Sequence, residues 1–165
     1  MSAALGEWMI ELNPAETQPF KKAVHFAPAI GIRGRSKLVS YLAFLGDETI
    51  VTSFNNEDYK AQTGASINAY KALFNIEEQY FKIVSEKSNI PTLIFIHPDD
   101  MLISSSDLKK FIQDGKRTEW QVDDIDNSKS ILPRTWNHLI IDEPSLGTAE
   151  WKRVSEKLIS FLTHD

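Results

Sequence analysis

Cysteine is absent from the 165 residues. That excludes a disulfide framework, a thiolate zinc site and a cysteine nucleophile, and it leaves the redox compartment open. No run of about eighteen apolar residues occurs, so no segment reads as a membrane span. Positive charge is not in excess: 18 Lys and Arg stand against 23 Asp and Glu, a formal charge of −5. This balance argues against a general binder of nucleic acid or anionic membrane, which needs a basic stripe. Internal repeats and low-complexity tracts are missing too. The opening segment, MSAALGEWMIEL, lacks a positive n-region and carries Glu7 and Glu11, so it does not read as a signal peptide. The cytoplasm is therefore the default location, with any upstream export signal lying outside the sequence. What remains is ordinary for a globular chain: 42% apolar and 25% charged residues. One domain of this length can bury roughly 70% of its unfolded surface.

Leu5, Trp8, Met9 and Leu12 fall at helical spacing, with Ser2 as N-cap and Asn13-Pro14 as the stop, which predicts a helix over residues 3–12. Lys21–Ala27 reads as a nearly continuous apolar strand, of the kind covered on both faces in a parallel sheet. Leu38, Tyr41, Leu42 and Leu45 predict a short helix ending near Gly46, and Phe54–Gly64 a polar loop. Ser66 is placed to cap a long helix with Ala69, Tyr70, Leu73 and Phe74 on one face, running on through Phe81 and Val84 to Ser88-Asn89. Pro91–Ile96 is the clearest strand. Asp107–Gln113 is predicted helical and closed by Gly115, Arg117–Val122 alternates as a third strand, and residues 123–135 form a polar loop. Residues 148–162 form a last amphipathic helix with Trp151, Val154, Leu158, Ile159 and Leu162 inward. This alternation predicts an α/β fold, a parallel sheet with helices on its faces.

In such sheets the reacting groups gather at the carboxyl ends of strands. Two polar positions fall there: the turn His97-Pro98-Asp99-Asp100 after Ile96, and the loop carrying His138. A carboxylate that fixes an imidazole tautomer, and an imidazole that takes a proton from a hydroxyl, form the acid–base half of a nucleophilic triad. The chain order Asp then His matches the Ser…Asp…His order of one hydrolase class.

At these residues the chain resembles the C-terminal half of the α/β-hydrolases. Pro91–Ser104 (PTLIFIHPDDMLIS) resembles the strand and turn presenting the family's acid, which aligns Asp100 with it; Asp99 is the alternative. Asn137-His138-Leu139-Ile140-Ile141 resembles the catalytic histidine loop, with Asn137 where glycine is common. Ala23–Ile30 resembles the strand after the nucleophile elbow, and residues 31–89 fit a helical cap over the pocket. The resemblance implies a core from residues 1–30 and 90–165, a sheet made of the fold's last three strands, and a cap insert over 31–89. It implies a cofactor-free serine esterase or lipase-like enzyme acting on a small-molecule ester or acyl substrate through an acyl-enzyme. Thioesterase and haloalkane-type activities stay open.

The family's Gly-x-Ser-x-Gly elbow does not occur in the chain. Met1 aligns with the position after the nucleophile, a usual oxyanion-hole donor, and Ser2 with the second glycine. The expectation is a chain starting at an internal methionine, with the serine and the preceding strands outside it. On that expectation the chain alone is inactive and poorly soluble, or it pairs with a separately made N-terminal half. The alternative is a non-catalytic interaction or binding protein using the retained cap and an exposed strand edge.

Plainer roles suit the other candidates. His25 reads as a core histidine, His97 as a turn residue and His164 as a frayed terminus. His97, Asp99 and Asp100 lack a second clustered histidine for a metal site. Ser36 and Ser66 read as helix caps, and an N-terminal nucleophile at Ser2 belongs to a different fold. Lys21, Lys22, Arg33, Arg35 and Lys37 form a solvated basic face. Tyr41, Phe44, Phe54, Tyr59, Tyr70 and Phe74 either line an acyl pocket or pack the cap.

Overall fold

The computed structural model describes residue 9 and residues 20–32, 46–52, 63–83, 89–131, 137–138 and 140–164. Met1, Ser2, Ser36, the predicted short helix over 38–45 and the continuation of the long helix over 84–88 lie outside them. So does the predicted first helix except for Met9, which is helical and exposed rather than inward.

The fold is α/β. Strand β1 (Ala23–Phe26), β4 (Thr92–Ile96) and β5 (Trp120–Asp124) form a three-stranded parallel sheet in the order β1-β4-β5. Between β1 and β4 the chain carries an antiparallel pair, β2 (Ile50–Thr52) with β3 (Gly64–Ser66), and helix α1 (Ile67–Ile83). Helix α2 (Ser105–Asp114) joins β4 to β5. Helices α3 (Glu143–Leu146) and α4 (Thr148–Thr163) close the chain.

The middle strand is buried along all five residues, and its period of two sorts them between two cores. Leu93 and Phe95 join Ala27, Ile125, Ile140, Leu146 and Val154 on the face covered by α3 and α4. Ile94 and Ile96 join Ile30, Tyr80, Ile103, Leu108 and Trp120 on the face covered by α1 and α2. A continuous apolar run is what a strand covered on both sides requires. Register adds a ring contact, since Phe26 lies opposite Phe95 with centroids 5.1 Å apart.

The helices are stopped and started by side chains. Ser66 Oγ accepts from the Ala69 N–H at 3.2 Å at the start of α1. Ser104 Oγ accepts from Asp107 N–H at 3.2 Å, so α2 begins earlier than its predicted start at Asp107; Gly115 ends it. Asp142 and Ser145 form a reciprocal capping box on α3, a short helix the hydrophobic pattern does not reveal. Gly147, at φ +83°, links α3 to α4 where a Cβ would sit 2.7 Å from the Lys129 carbonyl oxygen, so only glycine fits.

Three expectations need correction. The insert over 31–89 is not purely helical, because it contains the β2–β3 pair. The third strand runs over Trp120–Asp124 rather than Arg117–Val122. The Arg117 carbonyl accepts from Trp120 N–H at 3.1 Å in a turn, and the guanidinium lies 5.4 Å from the Trp120 ring centre. The strand can extend through two aspartates because each meets a cation: Asp123 meets Arg153 and Lys157 of α4, and Asp124 meets Lys109 of α2 at 2.8 Å. Lastly, α4 buries the stripe Trp151, Val154, Leu158 and Phe161, while Ile159 and Leu162 point outward. Spacings of three and four residues keep that stripe narrow, and the sheet covers no more of the helix than this.

The segment between β1 and β4 is tied to the sheet region beside the end of β4. Ile32 bridges to Ile103, and Gly31 O accepts from Ser104 N–H at 3.0 Å. The buried Glu77 of α1 reaches in to accept from Ile32 N–H at 2.9 Å.

Candidate functional site

The site grows from the carboxyl end of β4. His97 O accepts from Asp100 N–H at 3.0 Å, closing a turn in which Pro98 supplies the fixed φ of the second position. The turn swings the Asp100 carboxylate back into the protein, where it is fully buried. A buried carboxylate needs partners. Oδ1 accepts from the N–H groups of Leu102 and Ile103 at 2.7 and 2.9 Å. Oδ2 lies 2.7 Å from His138 Nδ1. The sequence places these two side chains 38 residues apart, and the fold brings them within the hydrogen-bonding range of about 2.6–3.2 Å.

The bond settles the chemistry of the imidazole. A carboxylate at Nδ1 is satisfied by a proton there, so the neutral ring carries its lone pair on Nε2. The His138 side chain is 31% exposed while Asp100 is sealed off. A fixed, water-excluded anion behind a partly accessible ring is an arrangement that can accept a proton at Nε2 and stabilise the imidazolium that results.

The other candidates fall elsewhere. Asp99 is exposed; its N–H donates to His97 Nδ1 at 3.0 Å, and its carbonyl, not its carboxylate, faces the histidine turn. Of the two neighbouring aspartates, the geometry therefore pairs Asp100 with His138. His97 is held by its own turn. His25 is half-buried in β1, opposite Ile94. His164 is the C-cap of α4, its Nδ1 2.8 Å from Ser160 O, rather than a frayed end. Lys22, read as part of a solvated face, donates to Phe161 O at 2.8 Å and to His164 O, and so caps the last turn of α4. Among the described residues no three His, Cys, Asp and Glu side chains converge as a metal-holding group. Met1, Arg33, Arg35, Lys37, Tyr41, Phe44, Phe54 and Tyr59 lie outside the described residues. Tyr70 and Phe74 pack together with ring centres 6.3 Å apart.

Two backbone positions near the site have φ in the left-handed region: Ala27 at the end of β1 (+43°) and Asn137 just before the histidine (+47°). Asparagine and glycine are the residues that tolerate this region, which gives a physical reason for Asn137 at a glycine-like position. Asn127 is not among the candidates that the sequence pattern marks. It is buried in the loop after β5, and its Nδ2 donates to Asn137 Oδ1 at 3.3 Å. A buried asparagine in a polar loop carries no sequence signal of its own. A scan of the sequence against protein-family models finds no match, and a search of curated proteins finds none either.

Proposed function

We propose that this chain supplies the acid–base half of a serine-hydrolase-type site that cleaves small carboxylic esters, in the manner of the α/β-hydrolases. His138 is the general base and then the general acid, and Asp100 orients it. The observation that carries the reading is the 2.7 Å contact between buried Asp100, in the turn after β4, and partly exposed His138, in the loop before α3. The reading takes the attacking serine from polypeptide other than these 165 residues, in which no Gly-x-Ser-x-Gly occurs.

A serine hydroxyl attacks the ester carbonyl as its proton passes to His138 Nε2. The C–O bond to the alcohol breaks, and the imidazolium returns the proton to the leaving oxygen. Water then attacks the acyl-enzyme and gives a proton to the same nitrogen; the acyl–Oγ bond breaks, the imidazolium returns that proton to the serine oxygen, and the carboxylic acid leaves. No cofactor is called for.

The test is the stretch of gene that precedes the Met1 codon. In-frame codons for Gly-x-Ser, and hydrolysis of p-nitrophenyl butyrate by the extended protein that is lost on His138→Ala, support the reading. Absence of a serine there with no hydrolysis by the extended protein, or hydrolysis indifferent to His138→Ala, sinks it. Ester cleavage by the 165-residue chain itself that depends on His138 would keep the dyad and overturn the external serine.

A second reading, a non-catalytic interaction protein, draws on β1. Its residues are half-buried, and β4 is its only strand partner among the described residues. Binding of a separate strand-bearing fragment without any ester hydrolysis would favour it.

A further inference from the structure

Each member of the Asp100–His138 pair has a neighbour in a second, parallel contact. Asn137 Nδ2 donates to the carbonyl oxygen of Asp99 at 3.4 Å, so residues 99 and 137 are tied beside residues 100 and 138. Asn137 Oδ1 in turn accepts from Asn127 Nδ2 at 3.3 Å. Asn127 is buried, and its loop is anchored in several places. Asp126 N–H donates to Glu150 Oε1 of α4 at 3.1 Å. Ser128 N–H and Oγ–H both donate to the Asp126 carboxylate, at 2.8 and 3.0 Å. Ser130 N–H donates to Asn127 O at 2.9 Å, and Ser130 Oγ–H donates to Pro144 O at 3.0 Å. A side chain held by a rigid loop transmits position, whereas one on a free loop does not.

We infer that Asn127 is a positioning residue that, through Asn137, fixes the His138 turn over Asp100. The inference rests on the acid–base reading of that pair. The imidazole hangs from a turn whose first residue holds a left-handed φ, and an orienting hydrogen bond to a carboxylate tolerates little lateral drift. The Asp100 contact fixes one point of the ring. The contact from Asn137 to Asp99 fixes the backbone behind it, and Asn127 selects the Asn137 rotamer that makes that contact. Both amide contacts, at 3.3 and 3.4 Å, are longer than the usual range of about 2.7–3.2 Å, so each is individually weak and its loss frees the turn only partly.

The readout is the His138 Nδ1 proton in the 165-residue chain, whose exchange with solvent follows opening of the pair and needs no serine. Asn127→Ala removes the donor to Asn137. Asn137→Gly keeps the left-handed φ and removes both amide contacts. Each is expected to speed Nδ1–H exchange roughly three- to tenfold while leaving amide exchange in β4 unchanged. Asn137→Ala, which also strains φ, is expected to exceed both. Unchanged Nδ1–H exchange in both Asn127→Ala and Asn137→Gly overturns the inference. So does acceleration matched in the β4 amides, which marks general destabilisation. A wild-type Nδ1 proton that is not protected, or one indifferent to Asp100→Asn, overturns the acid–base reading and the inference with it. A protected proton that ignores Asn127 and Asn137 overturns the inference alone.

Discussion

Two buried carboxylates lie near the carboxyl ends of neighbouring strands, and their partners are of opposite kinds. Asp100 follows β4 and meets one imidazole and two backbone N–H groups. Asp123 lies in β5 and meets two cations of α4, the Arg153 guanidinium at 2.7 Å and the Lys157 ammonium. Burial pushes the Asp123 carboxyl up, but the bonds and charges of Arg153 and Lys157 outweigh it and leave it below its ordinary 3.8. Arg153, bonded to Glu150 and Asp123, holds its proton more firmly than usual. An imidazole can give up and regain a proton near neutrality, whereas a guanidinium keeps its own. The partner therefore separates a carboxylate bonded to a group able to exchange a proton, as the proposed function requires, from one that clasps a helix to a sheet.

The sharpest way to break this contrast is to neutralise each acid in turn. Asp100→Asn keeps the shape and lets the amide oxygen accept from Leu102 and Ile103, but it turns an N–H toward His138 Nδ1. The ring must then carry its proton on Nε2, which is the wrong tautomer for a base. In a chain supplied with its serine, kcat is expected to fall about ten-thousand-fold. Steady-state hydrolysis of p-nitrophenyl butyrate measures it; a loss under about tenfold would place Asp100 with the structural acids.

Asp123→Ala is the counterpart, and its effect belongs to stability. Removing it strands two cations, but their side chains are 42% and 39% exposed and can turn to water. The expected cost is therefore only about 1–2 kcal/mol in urea unfolding, with the His138 Nδ1 proton undisturbed. A change in that proton comparable to the one from Asp100→Asn would erase the distinction between the two carboxylates.

The clasp also sets an acid dependence. Glu150 lies below its ordinary 4.5, chiefly through the Arg153 hydrogen bond, with burial opposing and the Asp126 N–H adding to it. Both acids have folded values below their unfolded ones. The stability they contribute is present in full above the unfolded values, 3.8 and 4.5, and is lost as pH falls through the lowered folded values. Against wild type, Asp123→Asn should be destabilised by about 1 kcal/mol at neutral pH, with the gap closing once pH drops below roughly 4. Urea midpoints measured from pH 7 to pH 3 would show it, and a gap independent of pH would mean the clasp is not ionic.

The same contrast explains what the sequence disclosed. Thr92–Ile96 announces itself because a strand buried on both faces needs no pattern beyond its apolar run Leu93–Ile96, and the acid follows from where that strand ends. The β2–β3 pair stayed hidden because three residues each, including Gly64 and Ala65, are too few and too weakly β-forming for alternation to register. The true span of β5 was masked by Asp123 and Asp124, whose charges read as loop until α2 and α4 supply their cations. The inward face of α4 shifted because Phe161, not Ile159 or Leu162, continues the stripe through Leu158. Asn127 was illegible for a related reason. Its meaning lies in a contact ten residues away, and polar loop residues look alike until the fold joins them.

Glu150→Gln offers the finest division of the clasp. The amide keeps an oxygen to accept from Asp126 N–H, now 3.1 Å from Oε1, so the loop carrying Asn127 should stay in place. What is lost is charge: Arg153 keeps Asp123 and loses its i,i+3 partner, now at 2.6 Å. Because the guanidinium is substantially exposed, solvent screens that pair, and the expected cost is about 0.5 kcal/mol or less. The Asp123 dependence on pH should persist and the portion between the two carboxyl ranges should flatten. If Glu150→Gln instead matches Asp123→Ala in urea, the Glu150–Arg153 pair holds the helix as firmly as the buried acid of β5 does.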